Sequence, residues 1–161
     1  MTEKGMTEKG MTIIEDDLTG PDIARLLAWH LEQMHRWSPA DKVHAMPIER
    51  LRAPDVTFYS AWVDGVLAGC GAIKHLDDAR GELKSMRVAP EFLGRGIGRA
   101  MLHHLIGVAR GRGYRQVLLE TGKPEAFIPA RRLYESEGFA ECPAFAGYTT
   151  DDYSLCMMRD L

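Results

Sequence analysis

From Glu91 to Leu102 the chain reads Glu-Phe-Leu-Gly-Arg-Gly-Ile-Gly-Arg-Ala-Met-Leu, so that three glycines alternate with Arg95 and Ile97 and a second arginine, Arg99, follows. Successive backbone N–H groups of a glycine-rich loop can turn together toward an anion, and the positive end of a following helix dipole favours phosphate at the same place. Glycines at a helix start also serve as plain punctuation, and both readings stand at this point. A triphosphate-binding loop requires Lys-Ser or Lys-Thr after its glycines, and none follows here. A dinucleotide fingerprint, for which Glu120 could serve as the ribose acid, lacks its third glycine. Arg99 or Met101 stands there, depending on register, and Pro90 intervenes between strand and loop.

The loop needs a strand before it and a helix after it, and the pattern supplies both. Ile97, Met101, Leu102, Leu105, Ile106 and Ala109 recur at helical spacing from Gly96 to Arg110, and Gly111 and Gly113 close that helix. Glu82 to Val88 reads as the preceding strand, and alternation sets Glu82 on one face with Lys84 and Met86. Val56 to Val63 and Val66 to Lys74 flank Asp64-Gly65, a pair suited to the positive φ angles of a type I′ hairpin turn. Thr12 to Asp16 is a short strand, and Thr19 is placed to cap the helix that follows, whose apolar face is Ile23, Leu26, Leu27, Leu31 and Met34. Pro39, Pro47 and Pro54 permit only short helical pieces, Ala40 to Met46 and Ile48 to Arg52. Strand Gln116 to Thr121, helix Phe127 to Glu137 and strand Ser154 to Arg159 complete a single α/β domain, a mixed central sheet flanked by helices, over residues 12–161. Residues 1–11, in which MTEKG is written twice, carry neither a basic n-region nor an apolar h-region and are expected to be disordered.

Composition narrows the function classes. Hydrophobic residues make up 45% and charged residues 27%, the mixture of an ordinary globular domain. With 20 Lys and Arg against 23 Asp and Glu, the net charge of −3 gives no basic field for a nucleic acid. No apolar run approaches the roughly 20 residues of a membrane-spanning helix. Cys70, Cys142 and Cys156 fit neither a disulfide framework nor a zinc spacing, and a reducing cytoplasm is the expected location. No metal is expected either: His103 and His104, adjacent on a helix, point apart, and Asp151-Asp152 reads as a solvated turn. His35 and His44 lie in the proline-broken segment, which could wall a compact substrate pocket, and Arg87 and Arg131 offer guanidinium groups able to grip a carboxylate.

Three motifs in order carry a resemblance. The strand Gly81-Glu-Leu-Lys-Ser-Met-Arg-Val-Ala-Pro90, the loop Gly94-Arg-Gly-Ile-Gly98 and the segment Ala130-Arg-Arg-Leu-Tyr-Glu-Ser-Glu-Gly-Phe139 resemble the GNAT superfamily of acyl-CoA-dependent N-acetyltransferases, from about Thr12 onward. Ser38-Pro39 with Val43-His44-Ala45, and Leu119-Glu-Thr-Gly122 with Pro129-Ala-Arg131, are similar to a small bacterial branch of it. Leu93 stands where the family's loop usually has Gln or Arg, and Phe127 where many relatives carry an asparagine that holds the pantetheine arm.

The resemblance implies acetyl-CoA as co-substrate, its pyrophosphate on Gly94, Arg95, Gly96, Ile97, Gly98 and Arg99, and its pantetheine along Met86, Arg87 and Val88. It implies Tyr134 as the acid that protonates the departing thiolate, a role consistent with a phenol pKa near 10. Glu82 matches a catalytic glutamate of some relatives and is the expected base, with Glu120 as rival. The expected acceptor is the amine of a small metabolite, amino acids included, with His35, His44 and Arg131 around it, and a homodimer is compatible with the resemblance. An amine attacks a thioester directly, so the lack of a nucleophile motif agrees with this reading. A silent acyl-CoA-binding regulatory module, and acetylation of protein N-termini or lysines, are the alternatives.

Overall fold

The computed structural model describes residues 10–43 and 47–161. Strand β1 (Met11–Glu15) leads to helix α1 (Pro21–Trp37), a 3₁₀ turn (Ala40–Lys42) and the short helix α2 (Ile48–Leu51). Strands β2 (Val56–Val63), β3 (Val66–Asp77) and β4 (Arg80–Val88) follow, then α3 (Ile97–Gly111), β5 (Gln116–Gly122), α4 (Ile128–Ser136), β6 (Ala140–Cys142) and β7 (Ser154–Asp160). One seven-stranded sheet in the order β1-β2-β3-β4-β5-β7-β6 runs through the domain. It is antiparallel at every junction except β4–β5, where α3 provides the crossover that a parallel pair needs. This is the mixed sheet that the sequence predicts.

Local chemistry explains most of the boundaries. Asp64 and Gly65 have φ of 48° and 80°, as a type I′ turn requires, and Val63 pairs with Val66 across it. Met11, grouped in the sequence reading with the extension, instead opens β1 opposite Val63 and is fully buried. The N-cap of α1 is Gly20 rather than Thr19, with Pro21 opening the helix, and the Thr19 hydroxyl instead turns back to donate to Asp17 Oδ1 at 2.7 Å. Of the helical piece expected over residues 40–46, only Ala40–Lys42 forms within the described residues, and Val43 is already extended. Strand β6 carries no pattern of its own in the sequence and is held by pairing of Ala140, Glu141 and Cys142 with β7.

The two faces of the sheet hold different cores. On one, α3 lays Ile97, Met101, Leu102, Leu105 and Ile106 against β3 and β4, all of them buried. A Cβ at Gly69 would lie 2.8 Å from the Arg87 carbonyl, and one at Gly71 would lie 2.8 Å from Met101 Cγ. Missing side chains therefore let this helix seat closely. Residues one position away on β3, including Cys70, face the opposite side, where α1 packs.

Candidate active site

Two irregularities in β4 decide the site. Cys70 pairs with Arg87 and Ala72 with Lys84, so β4 uses three residues where β3 uses two, and Ser85 sits in the left-handed region at φ 56°. This is a β-bulge, and it changes the alternation. Glu82, Lys84 and Arg87 share the α1 face, whereas Met86, expected in phase with Glu82 and Lys84, is the residue displaced by the bulge. The second irregularity is that β4 and β5 pair only over Arg80 to Glu82 with Gln116 to Leu118. Beyond those three pairs the strands part. The backbone of Met86 to Val88 is left without a β5 partner, which suits it to pair with an extended, amide-bearing arm.

Below the splay, the glycine loop has the conformation that an anion site needs. Gly94 and Gly96 have φ of 78° and 80° on either side of Arg95, an alternation that turns consecutive N–H groups to one side. A Cβ at either glycine would meet nothing within 4 Å, so the loop faces open space. The first intrahelical bond into α3 runs from the Ala100 N–H to the Gly96 carbonyl, which leaves the N–H groups of Ile97, Gly98 and Arg99 for a ligand. Gly98 itself packs toward Val88 and Leu133, where a Cβ would lie 3.5 Å from each. The flanking charges are engaged: Arg95 stacks on the Phe92 ring at 4.7 Å, and Arg99 pairs with Glu137 and donates to Ser136 Oγ at 3.0 Å. Leu93 stands exposed beside them.

Tyr134 projects from α4 to the mouth of the splay. Its hydroxyl lies 4.0 Å from Met86 Sδ and its ring packs at 5.8 Å from Phe139. Burial pushes the phenol up to about 12, against the opposing influence of the Arg87 cation, so the proton stays on the oxygen at neutral pH.

The expected base is enclosed by its neighbours. Glu82 is 2% exposed, and its Oε2 accepts from Lys84 Nζ at 3.1 Å and from the Tyr148 hydroxyl at 2.6 Å. Lys84 Nζ also donates to the Tyr148 oxygen at 2.5 Å, closing a triangle of three polar groups. Tyr148 comes from the β6–β7 loop, where Ala146 and Gly147 at φ 50° and 83° turn the chain sharply and bring the Phe145 and Tyr148 rings to 5.2 Å. Burial and the neighbouring Glu82 carboxylate raise the Tyr148 phenol strongly, so it acts as a hydroxyl. Sequence reasoning missed Tyr148, since nothing local marks a loop tyrosine that folds back on a strand. Glu120, the rival carboxylate, is on the same sheet face, two residues beyond Leu118, the partner of Glu82, and is less buried.

On the α1 face Arg87 is clamped. Its guanidinium lies 5.2 Å from the Trp29 ring and 5.1 Å from the Trp37 ring, and its Nε donates to His30 Nδ1 at 2.7 Å. Burial, with the adjacent cation adding to it, drives the His30 pKa down to about 3, so the imidazole is neutral and accepts through Nδ1. Trp37 meets Phe127 edge to face at 5.3 Å, and Phe127 lies against Gly122, where a Cβ would collide with its ring. His35 is exposed, and it sits about 140° around the helix from His30. The structure therefore does not bring His35 to the clamp, and His44 lies outside the described residues. Arg131 sits on α4, where Nη2 approaches the Lys123 carbonyl at 3.4 Å and Nε is buried without a partner among the described residues. A signal for His30 was present: with Ile23, Leu26 and Leu27 it completes the buried face of α1 at helical spacing.

Among the described residues no three His, Cys, Asp or Glu side chains converge to hold a metal ion, and no helix is long and apolar enough to cross a membrane. Residues 23–139 match the model of the acetyltransferase (GNAT) family. The chain is 46% identical over 151 residues to the "uncharacterized N-acetyltransferase YsnE" of Bacillus subtilis (strain 168), covering 94% of this chain and 100% of that protein. It is also 46% identical over 143 residues to the "uncharacterized N-acetyltransferase YedL" of Escherichia coli (strain K12), covering 89% of this chain and 90% of that protein. The crystal structure of a GNAT family acetyltransferase from Elizabethkingia anophelis with acetyl-CoA bound superposes with a TM-score of 0.71 at 19% identity, over 96% of this chain and 100% of the other, a likeness of fold.

Proposed function

This chain belongs to the GNAT family and is an acetyl-CoA-dependent acetyltransferase, and from that premise we propose that it acetylates the primary amine of a small metabolite, in particular an amino acid, by direct attack. The observation that carries the reading is the parting of β4 and β5 immediately above the glycine loop, with Tyr134 at its mouth. The N–H groups of Gly94 to Arg99 take the pyrophosphate, and the unpaired backbone of Met86 to Val88 takes the amides of the pantetheine arm. The thioester, in this reading, lies between the splayed strands, with α3 on one face of the sheet and the acceptor on the α1 face.

In this reading the acceptor nitrogen, once deprotonated, attacks the thioester carbonyl carbon. A C–N bond forms, the C–S bond breaks, and the departing sulfur takes the Tyr134 hydroxyl proton. The ammonium proton goes to Glu82. Because that carboxylate is almost wholly buried, the transfer needs an intervening group, and the Tyr148 hydroxyl, which donates to Oε2 at 2.6 Å, passes its proton to Glu82 while its oxygen takes the proton of the ammonium. Among the site's parts, Phe127 cannot supply the amide contact that an asparagine would, which leaves the arm dependent on the β4 backbone.

Release of free CoA thiol from acetyl-CoA, measured with pooled amino acids and other primary amines, tests this. Turnover on at least one small amine, with N-acetyl product identified by mass, is the expected result. Turnover confined to protein N-termini or lysines would overturn the small-acceptor reading.

A further inference from the structure

Arg87 is a partly buried cation whose contacts among the described residues are all with neutral groups. Among the described residues no carboxylate pairs with it: the guanidinium lies over the Trp29 and Trp37 rings, and neutral His30 accepts from Nε. Removing a cation from water without an anion is unfavourable, and ring faces with one neutral acceptor offset only part of that cost. The clamp has a geometric consequence as well. With Nε committed to His30 and the group packed against two indole rings, the two terminal nitrogens are left as a pre-organised fork, the arrangement that grips a carboxylate through two parallel hydrogen bonds.

Position decides which anion. The glycine loop and the start of α3 are on the other sheet face, where Gly69 and Gly71 leave room for Ile97 and Met101, whereas Arg87 is in register with Cys70 and points to α1. The pyrophosphate of CoA is thus out of its reach. Tyr134, by contrast, has its hydroxyl 4.0 Å from the sulfur of Met86, the neighbour of Arg87 on β4, so the fork and the phenol belong to the same end of the strand, and each influences the other's ionisation.

We propose that Arg87, locked by Trp29, Trp37 and His30, is the specificity site for the acceptor and binds its carboxylate, so that the enzyme selects amino acids over the corresponding plain amines. This rests on the small-amine reading above and sharpens it. Of the two arginines considered from sequence, it assigns the task to Arg87, and it makes His30 a positioning residue that aims the fork without touching the acceptor.

The test pairs amino acids with their decarboxylated amines, alanine with ethylamine and phenylalanine with phenethylamine, and reads the ratio of kcat/KM within each pair. A site built around a buried polar group rejects an analogue that leaves it unpaired, so the parent enzyme should favour the amino acid by about 10²-fold or more. Arg87→Gln should collapse that ratio to within a few-fold of unity, with the loss for the amino acid appearing mainly in KM. Arg87→Lys, which keeps the charge and loses the fork, should fall between, and His30→Gln should reduce the ratio while sparing part of it. A readout without turnover accompanies this: calorimetric titration of the unaltered protein with N-acetylalanine and with N-ethylacetamide, product analogues that differ by the carboxylate, should show binding of the first only. Equal binding of the two analogues, a parent enzyme that prefers the decarboxylated amines, or a Gln variant that retains the parent ratio would each overturn the assignment. Carboxylate-dependent binding of N-acetylalanine with no thiol release on any amine would instead support the assignment and overturn the small-amine reading.

Discussion

The two flanks of the splayed strands are built from different kinds of interaction. On the α3 flank the loop offers backbone N–H groups, the glycines open space for a ligand, and the inner face of the helix behind is apolar and buried. On the α1 flank the groups proposed to act are charged or hydroxylic side chains from distant segments: Arg87 held by residues of α1, and Glu82 with Lys84 under Tyr148 of the β6–β7 loop. A backbone cradle suits a donor whose phosphates never change, because it depends little on side-chain identity. A side-chain cradle suits an acceptor that must be told apart from its analogues, and it makes the fold's stability depend on keeping buried charges paired.

The largest effect that distinguishes the flanks is therefore expected in stability. Lys84→Met leaves the buried Glu82 carboxylate with Tyr148 as its remaining donor among the bonds described, and such a loss typically costs about 3–5 kcal/mol. Urea unfolding should show it, and Lys84→Met combined with Glu82→Leu should recover much of the loss, since an apolar pair of similar bulk replaces the ions. A single-variant loss below about 1 kcal/mol, the range of an exposed pair, would mean that the triangle is solvated and that the two flanks differ little.

A second effect falls on chemistry with folding left in place. Tyr134→Phe removes the proton at the mouth of the splay and should lower kcat by about 10²-fold or more, with CoA affinity little changed. Because the phenol pKa is raised to about 12, the parent enzyme should show no fall in kcat from this group between pH 8 and 10. A drop below about threefold in the variant would assign Tyr134 to packing against Phe139.

The smallest expected effect is a pH slope. The folded-state pKa of His30 is depressed to about 3, mainly by burial, against about 6.5 in the unfolded chain. Between those values the unfolded chain binds the extra proton, so the contribution is fully present above pH 6.5 and declines as pH falls toward 3, by up to about 1.4 kcal/mol per pH unit. Unfolding free energies of the parent and of His30→Gln, measured from pH 7 to pH 4, should diverge in slope by that order. Parallel slopes would show that His30 is hydrated and that the clamp on Arg87 is loose.

How much of this was legible in the sequence follows the same division. The α3 flank is local: strand, Gly94 to Gly98 and the apolar stripe of α3 are contiguous, and each carries its own signal in glycines and in helical period. The Asp64-Gly65 turn was legible for the same reason. The α1 flank depends on events without local signature. Ser85 takes a positive φ without being glycine, so the bulge was invisible, and with it the exchange that sets Arg87 in phase with Lys84 and puts Met86 out of phase. Tyr148 reaches Glu82 across 66 residues of chain. His30 was half legible, on the buried stripe of α1 but of a type more often found at the surface, while the exposed His35, beside the proline-broken stretch, carries the stronger local signal.

If donor and acceptor meet at the splay, one from each flank, a crystal structure with CoA and N-acetylalanine bound will show both at once. The pyrophosphate is expected on the N–H groups of Gly94 to Arg99 and the pantetheine amides on the backbone of Met86 to Val88. The thiol should lie within hydrogen-bond reach of the Tyr134 hydroxyl, and the carboxylate on the terminal nitrogens of Arg87. A pyrophosphate held elsewhere, or a thiol remote from Tyr134 with the two ligands on the same flank, would contradict a meeting at the splay.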